Sequence, residues 1–117
     1  MLYLSNAFSL GMLRSKECTI KVKPENPSVI RLRLKSEPFT SSVGHESTAR
    51  LMSKLLDIYI PVQRTSIKLK DGDELIVFQL KLRLPEGKTL SEPELEELAD
   101  KGLFSWWSVR ILKEGKI

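Results

Sequence analysis

The chain has 117 residues, of which 41% are hydrophobic and 29% are charged, and its formal net charge is +4. This length is sufficient for one domain with its own core and too short for two of typical size, so we expect a single domain over residues 1–117. One cysteine excludes an intrachain disulfide, and one histidine leaves a zinc site dependent on carboxylates, so we expect no metal. A pI near 9.3 favours anionic partners. A nucleic acid, a nucleotide or no partner at all therefore remain possible.

The predicted elements of the first half alternate between strand and helix. Residues 1–5 are apolar and predict a strand, and residues 6–13 predict a turn that opens a brief helix capped by Asn6 or Ser9. Alternation over residues 19–23 predicts a second strand, followed by a turn over 24–27. In residues 29–35 apolar and basic side chains alternate, which predicts a half-buried strand with a basic outer face. Residues 46–57 carry the apolar stripe of an amphipathic helix.

The second half predicts a hairpin, a helix and a last strand. Residues 64–70 and 74–84 flank the turn signal Asp71-Gly72-Asp73 and are expected to pair antiparallel. One face of the longer strand is apolar, whereas the other becomes polar towards the end of the strand. This pattern is typical of a strand end that lines a polar site and also of an ordinary solvent-facing end. Residues 85–88 predict a loop, Ser91 caps a helix over 92–101 that Gly102 terminates, and residues 104–112 predict an aromatic strand. No apolar run approaches the ~20 residues that span a bilayer, so we expect a soluble, cytoplasmic protein.

The only histidine, His45, lies where a polar loop gives way to the predicted amphipathic helix. A helix start has unpaired backbone N–H donors and the positive end of the macrodipole, so the neighbouring glycine and hydroxyls suit a phosphate or carboxylate. The same run, Gly44-His45-Glu46-Ser47-Thr48, is also typical of an ordinary capped helix start. Local sequence alone favours this structural interpretation.

Motifs of several enzyme classes are absent from the sequence. It contains no Gly-x-Gly-x-x-Gly, P-loop, Gly-x-Ser-x-Gly or Cys-x-x-Cys, so nothing supports cofactor-dependent or serine-hydrolase chemistry. One imidazole with several cations and hydroxyls fits metal-free RNA cleavage, in which a ribose 2′-hydroxyl attacks the adjacent phosphate. In that chemistry His45 would protonate the departing 5′-oxygen, and Arg83 with a neighbouring hydroxyl would stabilise the phosphorane.

Three separated motifs carry a family resemblance. In three stretches the chain resembles the viral ring nucleases that act as type III anti-CRISPR proteins. These stretches are Leu4-Ser5-Asn6-Ala7-Phe8-Ser9, Val43-Gly44-His45-Glu46-Ser47-Thr48, and the run from Gln79 through Arg83-Leu84-Pro85-Glu86-Gly87-Lys88. The resemblance runs nearly end to end. This chain departs from the family pattern at Gly11, Leu82 and Pro85.

The resemblance implies a homodimer that degrades cyclic tetra-adenylate, the second messenger of type III CRISPR complexes, without a metal or cofactor. Together with the predicted elements it gives an α+β fold: a single domain with a mixed, mostly antiparallel five-stranded sheet flanked by helices, in a two-fold homodimer. A ring of four identical nucleotides contains a two-fold axis, so such a dimer would place one histidine at each of two opposite phosphates. Two cuts would yield linear diadenylate ending in 2′,3′-cyclic phosphate.

Motif position also implies roles for individual residues. His45 resembles the family's general acid and Arg83 its phosphate-stabilising arginine, while Glu86 and Ser9 occupy the other active-site positions. A helix start favours a neutral imidazole and bound phosphate favours imidazolium, so substrate would help to create its own acid. The implied ligand contacts are Asn6, Ala7, Phe8, Gly44, Ser47, Thr48, Arg64 and Gln79. Neither a membrane nor a stably bound polynucleotide is expected as a partner.

Several alternatives remain open. A small basic regulator would bind DNA or RNA through Arg31, Arg33, Lys35 and neighbouring cations, although a solvated surface is the favoured explanation of this basic face. A cyclic-oligoadenylate sponge would bind the messenger without turnover. Trp106 and Trp107 are adjacent in a strand and point to opposite faces, so core or dimer contacts are favoured over base stacking. The acidic helix over residues 91–101 is either a lid or a packed surface helix.

Overall fold

A computed structural model describes residues 1–82, 84, 87 and 90–115. The strands are β1 (Leu2–Ser5), β2 (Cys18–Pro24), β3 (Thr40–Ser41), β4 (Glu74–Leu80) and β5 (Phe104–Glu114). The α-helices are α1 (Pro27–Ser36), α2 (Glu46–Leu56) and α3 (Glu92–Asp100), and a short 3-10 helix spans Leu10–Met12. Within the described ranges, no helix is long and apolar enough to cross a lipid bilayer.

The strands form one five-stranded mixed sheet in the order β2-β5-β4-β1-β3. Strand β1 pairs in parallel with both β3 and β4, and β5 pairs antiparallel with β4 and β2. The antiparallel ladders are the longer ones, because β1 and β3 are short. The predicted α+β class with a mixed five-stranded sheet is therefore confirmed.

Both faces of the sheet are covered, but by different parts of the chain. On one face the three helices pack over Leu4, Ile76 and Phe78 and form the larger apolar core. On the other face a second cluster of six buried residues is covered by irregular chain, and it comprises Ile67, Leu69, Leu75, Val77, Val109 and Ile111. Strand β4 is thus buried on both faces, which explains its continuous apolar run. It ends at Leu80 rather than at residue 84.

The predicted basic strand over residues 29–35 is wrong, because this segment is helix α1. The N–H of Ser28 donates to Asn26 Oδ1 at 2.8 Å, and Pro27 occupies the first helical turn, where its missing N–H costs nothing. Ile30 and Leu34 are buried while Leu32, between them, is 68% exposed. The alternating pattern of a strand and the i, i+4 stripe of a helix both include Ile30 and Leu34, so the apolar pattern alone could not distinguish a strand from a helix.

The predicted hairpin is also wrong, although its turn exists. Gly72 adopts a φ of +80°, and the Asp73 N–H donates to the Lys70 carbonyl at 2.9 Å. Residues 64–70 form no strand, and the neighbours of β4 are β1 and β5 instead. Within this segment Leu69 forms an isolated bridge with Leu13, and Ile67 and Leu69 pack in the second cluster.

Helices α2 and α3 and strand β5 follow their sequence signals. Ser91 forms the predicted cap with Glu94: the Ser91 N–H donates to Glu94 Oε1 at 3.1 Å, and the Glu94 N–H donates to Ser91 Oγ at 3.4 Å. Gly102, with a φ of +72°, follows the end of the helix as predicted. Trp106 lies in the helical-side core and Trp107 against the second cluster, so the prediction of opposite faces is confirmed.

Helix α3 is packed against α2 in this structure. Leu95 is 5% exposed in the common core, and Lys54 of α2 binds Glu92, at 3.0 Å, and Glu96. Arg50 adds a longer ion pair with Glu92 at 3.5 Å. Of the two roles left open for this acidic helix, the arrangement is that of a packed surface helix.

Candidate functional site

His45 is the N-cap residue of α2, and its exposed imidazole makes no capping hydrogen bond. The backbone before it is held in place: the Gln63 N–H donates to the Val43 carbonyl at 2.9 Å, and Arg64 Nε donates to the Gly44 carbonyl at 2.8 Å. The His45 carbonyl accepts the Ala49 N–H at 3.0 Å, as the first helical bond. The N-cap side chain therefore satisfies none of the first N–H groups of α2 at the positive end of the helix.

The sheet brings Asn6 and Gln79 to the same edge as His45. Asn6 follows β1, the loop to His45 follows β3, and Gln79 lies near the end of β4; these three strands are parallel. The Ser42 N–H donates to the Leu4 carbonyl at 2.7 Å, which joins the loop to β1. Ligands of sheets with parallel strands bind outside the carboxyl ends of those strands, and this is where the motif residues meet.

Two cavities adjoin His45 and Asn6, and these two residues line both of them. The first, which we term the polar groove, has a volume of about 540 Å³. Besides the two shared residues, its lining includes Ser42, Gly44, Arg64, Thr65 and Ser66. The Arg64 side chain is exposed, and toward the described residues it uses only Nε as a donor.

The second, which we term the apolar cavity, has a volume of about 200 Å³. Its polar edge consists of the shared residues with Ser47 and Thr48, and its apolar walls are Phe78, Leu80, Leu84, Leu90, Leu95 and Phe104. Ser47 Oγ donates to the Leu90 carbonyl at 3.2 Å and so links the start of α2 to the chain just before α3. His45 therefore stands between a polar and an apolar compartment.

Three other predicted residues, Phe8, Ser9 and Gln79, line neither cavity. Ser9 is the exposed N-cap residue of the 3-10 helix but makes no capping hydrogen bond, and Phe8 packs against the second cluster. Gln79 is exposed near the end of β4 and is not among the residues that line either cavity. Ala7 lines the polar groove, and its N–H donates to Ser5 Oγ at 3.3 Å. Arg83 and Glu86 lie outside the described residues.

The basic residues of α1 do not form the single basic face predicted for a strand. Arg33 binds Glu74 through two hydrogen bonds, of 2.8 and 3.0 Å, and Glu37 through one of 3.0 Å. These bonds raise the pKa of Arg33, and those from Arg33 and Arg110 hold the pKa of Glu74 below its usual range. Arg33 is therefore engaged within the protein, which removes the central residue of the predicted nucleic-acid surface.

Sequence reasoning did not identify the walls of the apolar cavity. Phe104, Leu90 and Leu95 come from the last third of the chain and in the sequence look like ordinary core residues of a helix and a strand. No local motif marks them. Only the packing of α3 and β5 against the start of α2 brings them beside His45.

Comparisons with known proteins agree with this fold and its motifs. The model of the STIV B116-like family matches residues 2–103. The chain is 39% identical over 106 residues to "Uncharacterized protein 26" of Sulfolobus islandicus filamentous virus, covering 91% of this chain and 88% of the relative. It is 32% identical over 113 residues to "Uncharacterized protein ORF117" of Acidianus two-tailed virus, covering 95% of this chain and 94% of the relative.

A solved structure gives the same result. The protein B116 of Sulfolobus turreted icosahedral virus (STIV) superposes with a TM-score of 0.73 at 30% identity, covering 93% of this chain and 97% of that one. These relatives belong to viruses of archaea, which supports a viral family for this chain. On both the sequence match and the shared fold, this chain belongs to the STIV B116-like family.

Proposed function

We propose that this protein is a metal-independent ring nuclease that binds cyclic tetra-adenylate and cleaves it to linear diadenylate ending in 2′,3′-cyclic phosphate. Destroying the messenger would switch off type III CRISPR antiviral signalling. The observation that carries the proposal is the position of His45 at the start of α2, where its exposed imidazole lies between the polar groove and the apolar cavity and makes no capping hydrogen bond.

The polar groove supports the phosphate half of the proposal. Its hydroxyls and the Arg64 guanidinium line the groove together with His45, the N-cap residue of α2, and such donors stabilise the charge that develops on a phosphorane. Because Arg64 also holds the Gly44 carbonyl, the same side chain fixes the peptide that precedes His45. The guanidinium is thereby pre-oriented, which lowers the entropic cost of binding a ring phosphate.

The reaction requires one proton donor and no external nucleophile. The ribose 2′-oxygen attacks the adjacent phosphorus, the P–O5′ bond breaks, and the His45 imidazolium gives its proton to the departing 5′-oxygen. The proton of the 2′-hydroxyl passes to solvent, which the exposed site admits. In this proposal Arg83, Glu86 and Ser9 keep the roles that the resemblance implies: Arg83 stabilises the phosphorane, and the other two complete the active site.

A homodimer is part of the proposal. A single polar groove with its neighbouring cavity accommodates only part of a ring of four nucleotides, and a two-fold dimer would present two such sites to opposite phosphates of the ring. Light scattering of the free and ligand-bound protein should report twice the 13.4 kDa chain mass. A monomer in both states would remove the two-fold arrangement.

The decisive experiment is a time course of cyclic tetra-adenylate with purified protein in the presence of a chelator, followed by chromatography and mass spectrometry. Wild type should form linear diadenylate with 2′,3′-cyclic phosphate. His45→Ala should lower the single-turnover rate by about 10²- to 10⁴-fold, the usual contribution of a general acid, while retaining ligand binding. Arg31→Ala is the matched control, because Arg31 is an exposed cation of α1 that lines neither cavity, and this variant should cleave like wild type.

Other outcomes would favour the alternatives. Tight binding of the ring with no product from wild type would indicate a sponge. A polynucleotide affinity that falls steeply with salt and is lost in Arg31→Ala but kept in His45→Ala would indicate the basic regulator. Neither binding nor cleavage of the ring would refute the proposal.

A further inference from the structure

Phosphate chemistry does not account for the apolar cavity. Acid catalysis by His45 and stabilisation of a phosphorane need donors and cations, which the polar groove supplies, whereas six apolar side chains wall the neighbouring cavity. Open apolar surface beside a polar site is retained at a cost in hydrophobic burial, so it indicates an apolar part of the ligand.

The size of the cavity restricts what that part can be. Its volume of about 200 Å³ lies below the ~300–1,000 Å³ typical of pockets for drug-sized ligands, so it suits one ring system rather than a whole nucleotide. Because His45 and Asn6 line both compartments, a group in the apolar cavity would be joined directly to one in the polar groove. A nucleobase attached to a ribose phosphate has this arrangement.

The aromatic wall of the cavity is suited to a base. Phe104 stacks on Phe78 with a centroid distance of 4.2 Å and an interplanar angle of 8°, which fixes the orientation of the Phe104 ring before a ligand arrives. Phe78 is 1% exposed and belongs to the core, whereas Phe104 is only partly buried. Phe104 is therefore the aromatic side chain that can still gain contacts.

We propose that the apolar cavity is the base-binding subsite for the adenosine at the reacting phosphate, and that Phe104 is its base-contacting residue. This inference rests on the proposed function, whose ring supplies the adenosine. Asn6 at the rim makes no side-chain hydrogen bond to any described residue, and an asparagine amide can pair with N6 and N7 of adenine. Phe104 supplies affinity for a base, and Asn6 supplies the preference for adenine.

The test compares two small probes that differ only by the base, adenosine 5′-monophosphate and ribose 5-phosphate, titrated into the protein by NMR. AMP should bind more tightly than ribose 5-phosphate. Phe104→Leu should weaken the binding of AMP by about 5- to 150-fold, the range expected for losing one base–aromatic contact. The affinity for ribose 5-phosphate should not change. Trp106→Leu is the matched control, because Trp106 also packs on Phe78, at 4.4 Å, but lines neither cavity. It should keep the affinity of wild type for AMP.

A second measurement keeps the inference testable if either variant folds poorly. In wild type, bound AMP should show NOE contacts between its adenine protons and the Phe104 ring. Equal affinities for the two probes, no detectable AMP binding, or adenine contacts elsewhere would overturn the subsite. AMP binding with these contacts but no cleavage of cyclic tetra-adenylate would remove the proposed function and leave the subsite standing, so the two failures are distinguishable.

Discussion

Replacing Glu74 by glutamine would remove the charge of a carboxylate that two arginines hold. Oε2 accepts from Arg33 Nη1 at 2.8 Å, and Oε1 accepts from Arg33 Nη2 at 3.0 Å and from Arg110 Nη2 at 3.1 Å. The Glu74 side chain is 9% exposed, against 27% for Arg33 and 56% for Arg110. Hydrogen bonds to charged groups contribute about 1.5–3 kcal/mol each, but solvent screens the arginines and glutamine keeps one acceptor oxygen. We therefore expect the free energy of unfolding to fall by about 2–3 kcal/mol at pH 7.

The pH dependence provides a second signature. Hydrogen bonds from Arg33, and then from Arg110, lower the pKa of Glu74 in the folded state against the opposing effect of burial. A carboxyl whose pKa is lower in the folded than in the unfolded state stabilises the fold above its unfolded pKa of about 4.3, and loses this contribution as the pH falls through the folded pKa. The difference between wild type and Glu74→Gln should accordingly narrow below about pH 4.

Urea denaturation followed by tryptophan fluorescence at pH 7 and near pH 3 would measure both effects. Glu37→Gln is the matched control, because Glu37 binds the same arginine at 3.0 Å but is 47% exposed in an i, i+4 pair. Such a surface pair contributes only about 0.3–0.5 kcal/mol. Equal losses for the two variants, or a Glu74→Gln difference that is independent of pH, would refute this reasoning.

Three further predictions concern the core, a helix start and the site. Leu4→Ala should lower the free energy of unfolding by about 2–5 kcal/mol in urea, since Leu4 is fully buried; a loss below 1 kcal/mol would contradict its core position. Ser91→Ala removes the hydroxyl that accepts the Glu94 N–H in the capping box and should lower the free energy of unfolding by about 1 kcal/mol in thermal denaturation; an unchanged stability would contradict the role of the cap. Arg64→Met should slow cleavage of cyclic tetra-adenylate while hardly changing the melting temperature, because Arg64 is exposed; full activity would remove its proposed role.

Local signals predicted much of this fold because they act within a few residues. The pairing of Ser91 with Glu94 and the glycine at 102 place both ends of α3, and the apolar stripe of residues 46–57 predicts α2. The motifs likewise marked His45 and Asn6, which the structure places at the edge of the same two cavities. Caps and apolar stripes depend on neighbouring residues, so they can be identified without knowing the rest of the molecule.

Long-range pairing decided what local patterns could not. Strand β4 pairs with β1 and β5 rather than with residues 64–70, because hydrogen bonds to distant strands occupy both of its edges. Ile30 and Leu34 satisfy both a strand and a helix pattern, and packing together with the Asn26 cap selected the helix.

The sequence by itself therefore determined the fold class, both ends of α3 and the position of His45 at a helix start. Tertiary structure alone decided the strand partners and the aromatic wall at Phe104. The physical reason is that a cap or an apolar stripe is stabilised by residues a turn away, whereas a sheet edge and a cavity wall are completed by residues far along the chain, whose approach no local pattern records.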